Sequence, residues 1–422
     1  MFGSLLKKEC ALWMKSIVFY AYVILLFLFY ISQMGEEGVA LQRPQPGADD
    51  YGSAYSDDEN IIMNGTLKDL IVEFEREGPF ITYPVGFYKE VTLSEEEREK
   101  IAACISELSG MSREEWETAY DVYLEGSSVS LDENGRYVNI EKVPWSISMD
   151  PSITYEQFEK IMEKVAEVIG PGSDYEEEQL KKHGIVDKTY EQALSDYEDI
   201  LYKDKVTGAY ARLFSDYLGI VLGILPAFFG VTRVLKDKRS YIKGVIYSKK
   251  AGAAAIVGAR YLGMVLMMFV PVLLVSCLPL TQSLYIAYGA RTAPDYFAYL
   301  KYSFGWLLPI ILFVTALSYL LTELTESLLG ILICAAVWFN SVFTGSASLV
   351  GAGWNLIPRF NSVGKYQMFR EMLPQLVRNR ILYTVAALVT MAATMVVYDL
   401  KRKGVMGRHG KVSENFKSKS EI

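Results

Sequence analysis

Apolar residues in this chain fall into blocks, and the order of the blocks predicts the architecture. One apolar run covers residues 16–33, a long polar stretch follows to about Tyr210, and five further runs then come in close succession at 213–231, 253–277, 304–321, 328–343 and 381–398. A bilayer's hydrocarbon core takes about 20 apolar residues of helix, so these runs predict about six transmembrane helices. The first run is longer than a signal-peptide core and has no small-residue cleavage site close behind it, so an uncleaved span is expected. The expected fold is an α-helical polytopic membrane protein, with an α-rich α+β extracytoplasmic domain inserted between helices 1 and 2.

Within the inserted stretch, 34–210, the pattern changes to short amphipathic segments. A polar segment rich in Pro, Gly and Asp at 35–60 reads as a linker or irregular loop. Helical periodicity starts at Thr66 and reaches Glu77. Ser94 with Glu97 and Thr154 with Gln157 have capping-box spacing, opening helices that reach about Ser109 and Ile169. Another helix is expected over 112–124. Alternation over 128–140 around Asp132-Glu133-Asn134-Gly135 predicts a hairpin, and Gly170-Pro171-Gly172 stops the helix before it. A last helix from Lys188 is expected to run directly into the second span.

The ends of the chain carry their own pattern. Residues 1–15 read as an amphipathic cytoplasmic helix with Phe2, Leu5, Leu6, Leu12 and Trp13 on one side and Lys7, Lys8 and Lys15 wet. The tail, 401–422, is basic and polar, beginning Lys401-Arg402-Lys403.

Charge sharpens this layout. The 422 residues carry a formal net charge of −8, but residues 34–210 hold 40 Asp/Glu against 16 Lys/Arg, so the remainder is strongly basic. Cytoplasmic loops collect Lys and Arg. The N-terminal flank, the loop at 233–250 and the tail are all basic, and six spans place them on one side. The expected location is a bacterial cell membrane, with both termini cytoplasmic and 34–210 outside. Arg359, Lys365, Arg370, Arg378 and Arg380 go against this rule: either a re-entrant pair of short helices at 355–380 accounts for them, which is preferred, or the count of spans is off by one.

Candidate chemistry is sparse. Cys104 is the only one of four cysteines in the acidic stretch, which excludes an intradomain disulfide there. The two histidines, His183 and His409, are far apart in sequence. There is no HExxH, no GxSxG and no phosphate-cradling glycine loop, so neither hydrolytic catalysis nor ATP binding of the P-loop kind is expected. Asp49-Asp50 and Asp57-Asp58-Glu59 lack EF-hand spacing and read as a solvated face. No basic stripe interleaved with aromatics marks nucleic-acid binding. The predicted span interiors hold almost no charge, with Asp216 and Arg260 near ends, which argues against a proton-coupled pathway.

The basic loop carries the most specific signal. Arg233, Lys236, Asp237, Lys238, Arg239, Lys243, Lys249 and Lys250 precede a small-residue entry, Gly258-Ala259-Arg260-Tyr261-Leu262-Gly263, into the third span. This resembles the segment after the second span of ABC-2 type transporter permeases. The resemblance covers the membrane half: a basic amphipathic N-terminus, one span, an extracytoplasmic insertion, then five spans with a tight fourth-to-fifth hairpin. The large insertion and the lack of a leading Glu in the loop, whose place Asp237 takes, depart from the pattern.

The resemblance implies the permease subunit of an ATP-driven ABC exporter, not itself an enzyme. It would carry no cofactor, with ATP and Mg held by a separate ATPase subunit, and would work as a homodimer or beside a related permease. Coupling to that subunit would fall on Lys236, Asp237, Lys238, Arg239, Tyr241, Lys243 and Tyr247, with a secondary contact at the turn holding Glu323 and Glu326. The competing expectation is a membrane-anchored envelope sensor or assembly factor acting through its ectodomain.

Overall fold

The computed structural model describes residues 1–406 except 36–40, 77, 85–87, 128–129, 132–136, 139–143, 241–242, 249, 348–354 and 360–362. The expected basic tail therefore lies mostly outside the described residues, as do the hairpin's turn and Tyr241. The fold divides into two compact units, a helical unit of residues 1–43 and 194–422 and an inserted unit of residues 44–193.

The chain opens with α1 (Phe2–Trp13) and α2 (Ile17–Met34). The inserted unit follows. Its elements are β1 (Ser53–Tyr55), α3 (Glu59–Glu75), β2 (Phe80–Thr82), β3 (Lys89–Val91), α4 (Glu95–Ser109), α5 (Arg113–Ser127), β4 (Ser130–Leu131), β5 (Tyr137–Val138), α6 (Tyr155–Ile169) and β6 (Ile185–Asp187). The strands form three antiparallel pairs. β1 lies against β6 with Ala54 opposite Val186, β2 against β3 with Ile81 opposite Glu90, and β4 against β5 with Leu131 opposite Tyr137. The last pair is the expected hairpin.

Both predicted capping boxes form. The Ser94 hydroxyl accepts from Glu97 N while the Glu97 carboxylate accepts from Ser94 N, and Thr154 and Gln157 make the same exchange. Asp58, which the sequence placed on a solvated face, caps α3 by accepting from Asn60 N and Ile61 N. Gly170 ends α6 at φ 101°, a value that favours glycine. The unit has its own apolar core, in which Leu67, Leu70, Phe74, Ile105, Trp116, Phe158 and Val165 are buried.

The remaining helices are α7 (Tyr190–Glu198), α8 (Thr207–Leu222), α9 (Leu225–Arg239), α10 (Lys243–Tyr247), α11 (Ala253–Gly289), α12 (Ala298–Tyr302), α13 (Leu308–Thr325), α14 (Leu329–Ala347) and α15 (Tyr366–Arg402). α7 does not run straight into the second span. Lys205 and Val206 both take positive φ, 55° and 58°, and break the path before α8.

Most of the protein is helical, and among the described residues five helical segments are long and apolar enough to cross a membrane: Ile17–Met34, Thr207–Arg239, Ala253–Gly289, Ala298–Thr325 and Tyr366–Arg402. The sixth expected span corresponds to the shorter apolar stretch Leu329–Phe343, roughly 22 Å at 1.5 Å per residue.

Three boundaries differ from the sequence expectation. The helices at 207–239 and 253–289 overrun the apolar runs that predicted them. Residues Arg233–Arg239 are thus the last turns of a helix and not a loop. Residues 366–380 are the first turns of α15, which continues to Arg402 with Pro374 inside it. Among the described residues, 366–380 do not form the separate short helices expected within 355–380. A single proline in a run of good helix formers removes one backbone bond and kinks a helix without ending it.

α13 sits against α9, α14 and α15. Gly230 allows the α9 contact, because a Cβ there would lie 2.2 Å from Ser318 Oγ and 2.9 Å from Tyr319 N. Trp13 stacks on Phe229 at 4.5 Å, and Tyr22 donates to Met268 O at 2.8 Å, tying α1 and α2 to the bundle.

Candidate functional site

Charged side chains gather where α1, α9 and α11 meet. In α1 the residues Phe2, Leu5, Leu6, Glu9 and Trp13 follow helical spacing, so Glu9 falls on the stripe that otherwise packs. Its carboxylate is held by Arg233 of α9, with Nε to Oε2 and Nη2 to Oε1 both at 2.7 Å. One turn further along α9, Asp237 accepts from Arg233 Nη1 at 2.6 Å and from Arg260 Nη2 at 2.5 Å. Arg260, on α11, also lies 3.8 Å from Glu9. All four residues are buried. The quartet is electrically neutral and alternates sign, and such pairing with hydrogen bonds offsets the cost of burying the charges. α1 comes close enough to α11 that a Cβ on Gly263 would stand 3.0 Å from Glu9 Cβ.

A second, more exposed charge cluster lies where α9, the α13–α14 turn and α15 come together. Glu326, at φ 52°, ends α13 in a left-handed turn. Its carboxylate accepts from Lys238 at 3.4 Å and from Lys401 at 3.4 Å, and its carbonyl accepts from Lys238 at 3.1 Å. Lys401 also donates to the carbonyl of Glu323, whose side chain is buried. Arg402 donates to Ala251 O at 2.6 Å. Tyr247 of α10 packs edge-on against Tyr398 of α15 at 5.4 Å. A shallow cleft of about 500 Å³ beside Glu326 is lined by Leu235, Lys238, Arg239 and Leu328.

The sequence-predicted residues therefore separate into groups. Lys236, Lys238 and Arg239 are exposed on the last turn of α9, and Lys238 reaches Glu326, so the primary and secondary candidates share one surface. Asp237 lies elsewhere, turned inward with both carboxylate oxygens engaged by arginines. Tyr247 is half-buried and Glu323 is buried. Lys243 opens α10, and Tyr241 lies outside the described residues.

Sequence reasoning missed Glu9, Arg233 and Arg260 as partners. The i, i+4 spacing of Arg233 and Asp237 and the placement of an acid on the apolar stripe of α1 were the available signals. The expectation of almost uncharged span interiors is also corrected. Arg212, Asp216, Arg233, Asp237, Arg260, Glu323 and Arg380 are all buried within the five long helical segments; Asp216 and Arg260 lie inside the apolar runs, and the others lie where the segments extend past those runs into charged sequence. Arg212 and Asp204 form a buried two-bond pair at 2.8 and 3.1 Å.

In the inserted unit, the His183 side chain is largely withdrawn from solvent and held by polar partners. Its Nδ1 lies 2.6 Å from Asp69 and its Nε2 3.1 Å from Asp174 O, and its ring stacks on Tyr175 at 5.6 Å. Tyr175 donates to Glu73 at 2.7 Å. Among the described residues no group of three or more His, Cys, Asp or Glu is arranged to hold a metal ion.

Fold and charge distribution define a helical protein of membrane type with an inserted, independently cored unit. No family model, curated protein or solved structure matches the chain.

Proposed function

We propose that this chain is the membrane-spanning permease subunit of an ATP-driven ABC exporter, coupling hydrolysis on a separate ATPase subunit to efflux. Both termini face the cytoplasm and the inserted unit lies outside, as the distribution of Lys and Arg favours. The subunit acts as a dimer or beside a related permease. It performs no chemistry itself.

The observation that carries this reading is the continuity between an exposed basic surface and a buried charge quartet. Lys236, Lys238 and Arg239 present cations on the same helical turn as Asp237. Asp237 in turn is locked through Arg233 and Arg260 to α1 and α11. A partner that moves the end of α9 moves three helices together, which is the kind of two-state element that coupling between distant sites requires.

The test is a pull-down of detergent-solubilised protein from its native membrane, comparing wild type with Lys236→Ala/Lys238→Ala/Arg239→Ala. Asp237 is left intact so that the interior is not disturbed. A P-loop ATPase that accompanies the wild type and is lost from the variant supports the reading. Recovery of no ATPase with the wild type overturns it.

The second reading is an envelope sensor or assembly factor acting through residues 44–193, favoured by the separate core of that unit. It takes first place if the wild type recovers a regulator or kinase and no ATPase.

A further inference from the structure

A groove of about 610 Å³ runs between Lys301–Pro309 and the N-terminal half of α15, and its walls are mostly apolar. On α15 its lining positions are 369, 373, 376, 377, 380, 381, 384 and 385, a continuous face at helical spacing. They span roughly 24 Å at 1.5 Å per residue. Phe304 and Ile381 on its walls are 52% and 58% exposed, so the groove opens sideways. α15 is long and apolar enough to cross a membrane, and a sideways opening on such a helix meets lipid.

One side chain breaks the apolar face. Arg380 is buried at 7% exposure. It donates from Nη1 to Trp306 O at 3.2 Å, from Nη2 to Leu356 O at 2.9 Å and Asn355 O at 3.3 Å, and from Nε to Asn379 Oδ1 at 3.0 Å. These acceptors are all neutral. The other three buried arginines among the described residues, Arg212, Arg233 and Arg260, each pair with a carboxylate; Arg380 pairs with none among the described residues. Burying a cation without a counter-charge is far more costly than burying a pair. Nη1 also uses only one of its two N–H groups among the described contacts. Lys301 lines the groove too, but Asp295 holds it at 2.5 Å.

We propose that this groove binds an anionic phospholipid, its phosphate on Arg380 and an acyl chain along Ile381, Thr384 and Val385. Arg380 directly precedes the apolar run 381–398, which puts the guanidinium at the depth where phosphate meets hydrocarbon. Arginine is the side chain best suited to phosphate oxygens. The volume falls within the roughly 300–1,000 Å³ typical of ligand pockets. The proposal depends on membrane insertion and is independent of the exporter reading.

Trp306 lines the groove and reports on its contents. Full-length protein in nanodiscs is titrated with phosphatidylglycerol or phosphatidylcholine carrying brominated acyl chains, and Trp306 quenching is taken as wild type minus Trp306→Phe. The expected result is half-maximal quenching at about tenfold lower mole fraction of phosphatidylglycerol, as one charge-assisted contact implies. Arg380→Gln removes the preference. Gly305→Leu removes it as well, by filling the groove. A Cβ at Gly305 meets nothing within 4 Å, so a side chain can start there without a clash, and this variant decides the matter if Arg380→Gln does not fold. Equal quenching by the two lipids in the wild type overturns the proposal, leaving a groove filled by bulk lipid. Absence of quenching together with a disulfide between two Val377→Cys copies also overturns it, assigning the groove to a second copy of the chain.

Discussion

Replacing Asp237 by Asn leaves the shape of the charge quartet almost unchanged and removes one negative charge from it. In the native protein Asp237 bonds Arg233 at 2.6 Å and Arg260 at 2.5 Å, and Glu9 bonds Arg233 twice at 2.7 Å. After the substitution two guanidinium groups share one carboxylate, and a net positive charge is buried. Two unit charges 4 Å apart interact by about 4 kcal/mol at an effective dielectric of 20, and breaking a buried pair by removing one partner costs about 3–5 kcal/mol. For a unit of this size each kcal/mol moves Tm by about 2–4 °C, so Asp237→Asn is expected to lower Tm by roughly 6–20 °C. The assay is intrinsic-fluorescence melting of the detergent-solubilised protein at one fixed scan rate. Adding Arg260→Gln restores neutrality, so the double variant is expected to melt above Asp237→Asn alone, a coupling of about 1–3 kcal/mol. A single variant within 1–2 °C of wild type, roughly the shift expected for less than 1 kcal/mol, refutes the argument that these charges are dry and interdependent. So does a double variant no better than the single.

Other outcomes follow from named contacts. Gly230→Leu pushes α9 off α13, because even a Cβ would stand 2.9 Å from Tyr319 N; overpacking costs about 1–3 kcal/mol and should appear as a lower Tm. Ser94→Ala removes a capping box from α4, worth about 1 kcal/mol, and should raise hydrogen exchange in residues 95–99 while leaving the helical unit unchanged. His183 is pulled down by burial, but the Asp69 hydrogen bond, the Asp174 carbonyl and both carboxylates outweigh that and hold it above its ordinary value of 6.5. The protonated ring therefore stabilises the inserted unit fully below about pH 6.5, and this contribution is lost as pH rises through the raised value. Exchange protection in α3 and around residues 180–187, corrected for intrinsic rates, should fall across that window in the wild type and stay flat in His183→Gln.

What was legible in the sequence was local. Ser94 with Glu97 and Thr154 with Gln157 start helices because the reciprocal bonds lie three residues apart, within reach of the pattern. The apolar runs at 16–33 and 253–277 likewise announce their helices. Glu9, Arg233 and Arg260 were not legible as a site, because Glu9 and Arg233 are 224 residues apart in the chain. Whether a charge is wet or dry depends on a partner that periodicity cannot supply. Asp237 shows the limit most clearly. In sequence it sits among Lys236, Lys238 and Arg239 and looks like one more surface charge, yet α9 turns it inward by about 100° from each neighbour. His183 is similar, since Asp69 lies 114 residues away.

Helix length explains why the charges escaped a reading based on hydropathy. α11 and α15 each have 37 residues, about 55 Å of helix against a hydrocarbon core of about 30 Å. Hydropathy marks the part that suits hydrocarbon and stays silent about the overhang. In this protein the overhangs carry the chemistry. Arg233 and Asp237 lie at the end of α9, Glu323 at the end of α13 and Arg380 where α15 turns apolar, while Arg260 stands inside the apolar run of α11. In a membrane-inserted protein such positions would fall near the bilayer boundary, where a charge costs less than at the centre. In the 207–239 segment charges are paired at both ends, Arg212 with Asp204 and Arg233 with Glu9 and Asp237, and the break between α8 and α9 separates the two sets. Cutting the junction from α1 with Glu9→Gln should therefore loosen exchange protection at the Arg233 end of α9 and leave the Arg212–Asp204 pair at the other end of the segment intact.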